Sequence, residues 1–154
     1  MNPRYLLALA SFIAFLQIKS QNLEVRYFSG SIEDSIQVME SLETIRQIYS
    51  RQQYDSVIHA CQNILEISNE IQFTRGKGEA YFLKGRAFNR LSYKYKALEM
   101  YKLAFEHFQL LNDHIRLAST LNNWGITLKS IGNFREAIQT GEKALEHAIL
   151  EVGS

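Results

Sequence analysis

Residues 118–145, ASTLNNWGITLKSIGNFREAIQTGEKAL, set the reading of the whole chain, because two earlier segments repeat their pattern at a shift of 40 residues. That shift stacks Val57 on Ala97 and Ala137, Ile58 on Leu98 and Ile138, and Ile64 on Ala104 and Ala144. Leu65, Phe105 and Leu145 fall in register as well. Earlier in the unit, Ile45, Gly85 and Gly125 form one column, and its glycines stand where two helices must approach closely. Self-similarity of this length means supersecondary units stacked on one another, none of which buries its apolar face alone.

Asn123-Trp124-Gly125, then Gly132 to Ile138 (GNFREAI), then Ala144-Leu145, resembles the two-helix unit of tetratricopeptide repeats. Tyr81, Gly85, Ala87, Phe88, Ala97-Leu98, Tyr101 and Ala104-Phe105 repeat the match, and Tyr54-Asp55, Val57-Ile58 and Ile64-Leu65 repeat it more faintly. The resemblance spans residues 38–150. Its period is 40 where about 34 is usual. The closing proline is missing, and Lys94 stands where an aromatic is expected. The resemblance implies an all-α fold, a right-handed α-solenoid of three antiparallel helical hairpins, in a long-helix variant associated with bacterial signalling and regulatory arrays.

Composition fits one domain with a sizeable core: 154 residues, 46% apolar, one proline. Seventeen basic residues oppose 16 acidic ones, and removing residues 1–20 takes Arg4 and Lys19 but no acid, leaving 15 against 16. A near-neutral chain argues against a nucleic-acid partner, which calls for an excess of positive charge. Residues 1–20 join a positive start to an apolar run, Tyr5 to Ile18, too short and too interrupted by Ser11 and Gln17 to span a bilayer comfortably. They read as a secretory signal peptide cleaved after Ser20 or Gln21, which makes the mature protein periplasmic or secreted. The alternatives are an uncleaved segment anchoring the chain to a membrane and a buried N-terminal helix. Residues 21–31 form a connector, and 32–154 the repeat domain, in units of about 38–77, 78–117 and 118–150.

Ser31 with Asp34 suggests the start of a first helix, 32–51, with Ile36, Met39, Leu42, Ile45, Ile48 and Tyr49 on one face. Its partner, about 54–69, carries a stripe of Val57, Ile58, Cys61, Ile64, Leu65 and Ile67. Thr74 to Gly78 reads as a break between units, with helices at about 78–91 and 92–111 after it. Asn112-Asp113 marks the next boundary, Gly132 ends the fifth helix, and Asn133 with Glu136 forms a capping box for the sixth. Leu145, Ala148, Ile149 and Leu150 are then left uncovered, a surface for self-association or for a partner.

No convergent acid, base or nucleophile set stands at a recognisable spacing, and there is no phosphate-cradling glycine loop or paired-cysteine motif. The expectation is a protein without catalytic activity and without a cofactor. Cys61 aligns with Tyr101 and Gly141 on the inner stripe and reads as a buried thiol. His107 and His147 repeat one unit apart, each after a glutamate, and suggest either a metal or pH-sensitive pair or two solvated side chains near helix ends. The aromatic set Tyr93, Tyr95, Tyr101, Phe82, Phe88, Phe105 and Phe108 reads as core rather than as a stacking platform.

The resemblance further implies that the first helix of each unit lines a groove for an extended peptide or a partner helix. The matching positions are Leu42, Arg46 and Tyr49; Phe82, Arg86, Asn89 and Arg90; and Asn122, Asn123, Ile126 and Lys129. Asparagine both donates and accepts, so Asn89, Asn122 and Asn123 suit a peptide backbone, and Arg86, Arg90 and Lys129 suit a carboxylate. The two-lysine, two-asparagine carboxylate clamp of some relatives is not reproduced. The reading that follows is an exported adaptor or scaffold that binds a protein or peptide. The alternative is the N-terminal sensor portion of a longer bacterial signalling or regulatory protein.

Overall fold

The computed structural model describes residues 32–152. The expected signal peptide, the connector and the Ser31 cap lie outside them. Six helices make up the described residues: α1 (32–50), α2 (Tyr54–Glu70), α3 (Thr74–Arg90), α4 (Lys94–Leu110), α5 (His114–Ser130) and α6 (Phe134–Val152). Helices α2 to α6 begin 20 residues apart, at Tyr54, Thr74, Lys94, His114 and Phe134. Each connection turns on one residue in the left-handed region: Gln52, Gln72, Ser92, Asn112 and Gly132. The next residue returns its amide to the last helical turn, Phe73 to the Ser68 carbonyl at 2.8 Å and Tyr93 to that of Phe88 at 2.9 Å. This closure satisfies carbonyls that a helix end otherwise leaves orphaned. Only Gly132 meets the positive φ without a side-chain penalty; the other four positions are Gln, Gln, Ser and Asn.

Helix α3 packs most extensively on α4, and α5 on α6, so the hairpins follow the expected order. Val38, Leu42 and Ile45 of α1 join Val57, Cys61, Ile64 and Leu65 of α2 and Ala80, Leu83 and Ala87 of α3 in one cluster. Phe82, Ala97, Tyr101, Ala104, Phe108 and Leu117 form the second. Close approach is built from glycine against aromatic. A Cβ on Gly85 would sit 2.8 Å from the Tyr101 ring, and one on Gly78 would sit 2.8 Å from that of Phe108. In the last unit Gly125 faces Gly141 rather than a ring, and its nearest obstacle is the Ala137 carbonyl at 3.3 Å.

Several expectations need correction. Thr74 to Gly78 is no break, because α3 begins at Thr74 and buries Gly76 and Gly78 in its first turns. Their lack of side chains lets α3 lie against Ser68, Phe73 and Phe108. Ile36 is exposed and Val38 buried in its place; Ile67 is exposed and Ser68 buried. Both follow from the 3.6-residue turn, which puts 38, 42 and 45, and 57, 61, 64 and 68, on single stripes. Tyr93 and Tyr95 stand exposed at the α3–α4 connection, so they are not core. At Asn133 the side-chain amide donates to the Glu136 carboxylate at 2.6 Å, so the pair meets side chain to side chain instead of exchanging backbone bonds.

The two glycine columns separate in a test. Gly85→Ala forces methyl against ring and should cost about 1–3 kcal/mol. Gly125→Ala meets the Ala137 carbonyl at 3.3 Å, a tight but smaller conflict that a helix-propensity gain of about 1 kcal/mol offsets in part, and should cost less than Gly85→Ala. Urea midpoints of the two variants check the contrast.

Candidate functional site

Helices α1, α3 and α5, the first helices of the three units, are tied together by one buried acid. Glu79 of α3, 1% exposed, accepts from Arg46 of α1 at 2.8 Å and from Arg116 of α5 at 2.6 Å. Arg46 also reaches Glu43 at 2.9 Å. A second bridge runs from Arg75 to Asp113 at 2.7 Å, and Asp113 in turn caps α5 by accepting from the Arg116 amide at 3.0 Å. A buried carboxylate is tolerated only when paired and hydrogen-bonded, and here two guanidinium groups supply both.

Further along the same three helices the charge is not balanced. A recess of about 400 Å³ is lined by Tyr49 of α1, Arg86, Asn89 and Arg90 of α3, Ser92, Lys94 and Tyr101, and Asn123 and Ile126 of α5. The Arg86 guanidinium lies 4.3 Å from the Tyr49 ring centroid. Arg90 donates through Nε to Tyr49 Oη at 3.2 Å, a bond that pushes its pKa above the ordinary arginine value. Lys94 donates to the carbonyl and the side-chain oxygen of Asn89, at 2.9 and 2.7 Å. No carboxylate lines the recess. Among the described residues, none pairs with Arg86, Arg90 or Lys94. Tyr101 is fully buried and its Oη has no hydrogen-bond partner among them. Burial, and next to it Tyr49, push this phenol above its ordinary range, while Arg86, then Thr127 and Arg90, pull it the other way.

Of the eleven positions expected to line a groove, six meet in this recess: Tyr49, Arg86, Asn89, Arg90, Asn123 and Ile126; Leu42 is fully buried in the core. Arg46 lies on the same face but is committed to Glu79 and Glu43. Phe82 is core, 6% exposed and packed on Tyr101, because α5 covers it. Asn122 and Lys129 belong elsewhere. They line an apolar recess of about 370 Å³ between α5 and α6 with Ile126, Phe134, Ile138 and Gly141. Ser92, Lys94 and Tyr101 were missed because they sit outside the first helices. The departure at Lys94 from the expected aromatic was the available signal.

Residues 95–149 match the family model described as Tetratricopeptide repeat. Those residues carry tetratricopeptide repeat sequence. No curated protein matches it. Cys61 is buried between α2 and its neighbours, where burial pushes the thiol up to about 12 against a small opposing pull from Lys84. His147 pairs with His114, Nδ1 to Nδ1 at 2.9 Å, and not with His107, which stacks on Tyr81. His107 and His147 are one unit apart in sequence, but the fold gives each its own neighbours. No group of three or more His, Cys, Asp or Glu among the described residues could hold a metal ion.

The histidines make stability depend on pH. Burial first, then His114, lowers the His147 pKa, while Glu146 opposes; burial and Lys77 lower that of His107. A lowered folded pKa means the stabilisation is complete above about 6.5 and is lost as pH falls from there through the folded value. Melting at pH 7.5, 6.5 and 5.5 should therefore show a progressive loss, and His147→Gln should flatten part of it.

Proposed function

We propose that this protein is a binding module without catalytic activity whose partner is a protein segment carrying negative charge, held on the face shared by α1, α3 and α5. The observation that carries the reading is the recess itself: Arg86, Arg90 and Lys94 around one opening with no acid to neutralise them. Arginine held in place by an aromatic ring is pre-organised for an oxyanion. Asn89 and Asn123 beside the cations suit the amides of an extended segment. The positive start and apolar run of residues 1–18 favour an adaptor that works outside the cytoplasm after export.

A second reading, a sensor piece of a larger signalling array, is favoured by the outer face of α6. Ile138 and Leu145 are 64% and 62% exposed, whereas Leu98 and Phe105 at the equivalent places of α4 are half-buried. The intact mass of the native protein separates the two readings.

Capture of a glutamate-rich peptide by the immobilised full chain tests the module. Arg86→Glu with Arg90→Glu should weaken capture at least tenfold at unchanged helicity, and capture by the native chain should fall as salt rises. Equal capture by the double variant would move the partner to another face.

A further inference from the structure

We propose that the outer face of α6 is the seat of a symmetric dimer, taking the same face of a second copy of this chain with the two helices antiparallel. The inference is independent of the recess on the α1, α3 and α5 face. Along α6, Phe134, Ile138, Gly141, Leu145, Ala148 and Val152 recur at alternating spacings of four and three residues, and all are exposed. That alternation draws one straight apolar seam, the pattern by which helices pair in coiled coils. No charged residue interrupts it.

The array itself shows what such a face holds. One unit earlier, Leu98, Tyr101, Phe105 and Phe108 take the places of Ile138, Gly141, Leu145 and Ala148. There Phe105 packs edge-on against Trp124 of α5, with ring centroids 6.5 Å apart, and Tyr101 and Phe108 join Leu117 of α5 in one core cluster. A helix therefore seats on this stripe of α4. On α6 no helix of the described residues covers the equivalent stripe, and Ile138, Leu145 and Val152 stand exposed. With Ile149 beside it, the seam offers on the order of 600 Å² of apolar surface, close to the about 800 Å² per partner of a standard interface.

Self-complementarity selects the occupant. An antiparallel pair with its two-fold axis level with Lys143 sets Leu145 opposite Gly141 of the second copy, Ile138 opposite Ala148 and Phe134 opposite Val152. Every layer then joins a larger side chain to a smaller one, and the two-fold repeats each contact. A Cβ on Gly141 would meet nothing within 4 Å, and beside it lies the apolar recess of about 370 Å³ between α5 and α6. The arriving Leu145 thus has a place to enter, where Tyr101 fills the equivalent position one unit earlier. A parallel pair would instead set glycine on glycine and phenylalanine on phenylalanine. Head-to-tail stacking meets the other end of the array, where α1 exposes Gln37, Glu40, Thr44 and Gln47, a polar face that leaves the seam uncovered by apolar surface.

Sedimentation of the full chain over a range of concentrations tests the pairing. The proposal expects a monomer–dimer equilibrium that high salt does not weaken, in contrast to capture of a glutamate-rich peptide. Leu145→Lys removes the inserted side chain, and Gly141→Tyr closes its seat with the residue of the preceding unit; each should raise the dissociation constant at least tenfold. Both positions are exposed, so helicity and melting measured where all chains are monomeric should not fall. On mild oxidation, Gly141→Cys chains mixed with Leu145→Cys chains should cross-link to each other faster than either does to itself, and the buried Cys61 does not compete. Monomer at every concentration would overturn the proposal and leave the stripe to a further helix of a longer array. Species that keep growing with concentration would mean head-to-tail stacking, and preferred self-linking of Leu145→Cys a parallel pair; either would overturn the antiparallel seam. A dimer that both variants leave intact would place the contact on another face and overturn it as well.

Discussion

The Glu79 carboxylate, held between Arg46 and Arg116, is the constraint on which the arrangement of this protein depends. Without these two pairings a charge would be stranded in the interior at a cost of several kcal/mol. With them, the first helices of all three units are fixed in register by one side chain. That register decides where everything else on the shared face falls. Arg86 and Arg90 lie on the same stripe of α3 as Glu79, two and three turns on, while Tyr49 follows Arg46 on α1 and Asn123 follows Arg116 on α5. One end of the stripe is neutralised around the buried Glu79; the other opens into the recess with its cations unmatched by any carboxylate. Structure and the proposed binding surface are thus two ends of one charge pattern.

The 20-residue beat of the helices is what makes such a pattern possible. Helices α2 to α5 are each 17 residues long with three-residue connections, so equivalent side chains return to the same face with each unit. The connection closes by a backbone hydrogen bond rather than by a side chain, and so four of its five left-handed positions tolerate residues other than glycine. The packing between hairpins then differs unit by unit. Tyr101 fills the gap against Gly85, whereas at Gly125 the backbone of α6 itself, the Ala137 carbonyl, is the nearest neighbour. The recess draws most of its lining from the second unit, with Tyr49 from α1 and Asn123 and Ile126 from α5.

Sequence periodicity made most of this fold legible because the repeat spacing, the glycine columns and the apolar stripes all carry it redundantly. It failed at Thr74 to Gly78, where glycine serves close packing inside a helix, a use that looks the same in sequence as a break. The candidate site was legible in part. Tyr49, Arg86, Asn89, Arg90 and Asn123 were picked out by the resemblance, which lines a groove with the first helices, and the fold brings them around one recess. Phe82, Asn122 and Lys129 also fit the pattern, but which of these is covered depends on whether a further helix packs beyond it, as α5 does over Phe82. Arg46 lies on that face but is tied to Glu79, 33 residues away, a pairing that no local pattern shows. Lys94 and Tyr101 come from the second helix of a unit, so a rule confined to first helices passes over them.

The central claim is that partner binding is seated at the recess on the α1, α3 and α5 face. Titration of the isotopically labelled full chain with a glutamate-rich peptide, followed by amide and arginine side-chain chemical shifts, tests it most directly. The account predicts shifts concentrated on Tyr49, Arg86, Asn89, Arg90 and Asn123, with Ile138, Leu145 and Ile149 of α6 unmoved. Shifts confined to that α6 face, or none at all, would contradict it.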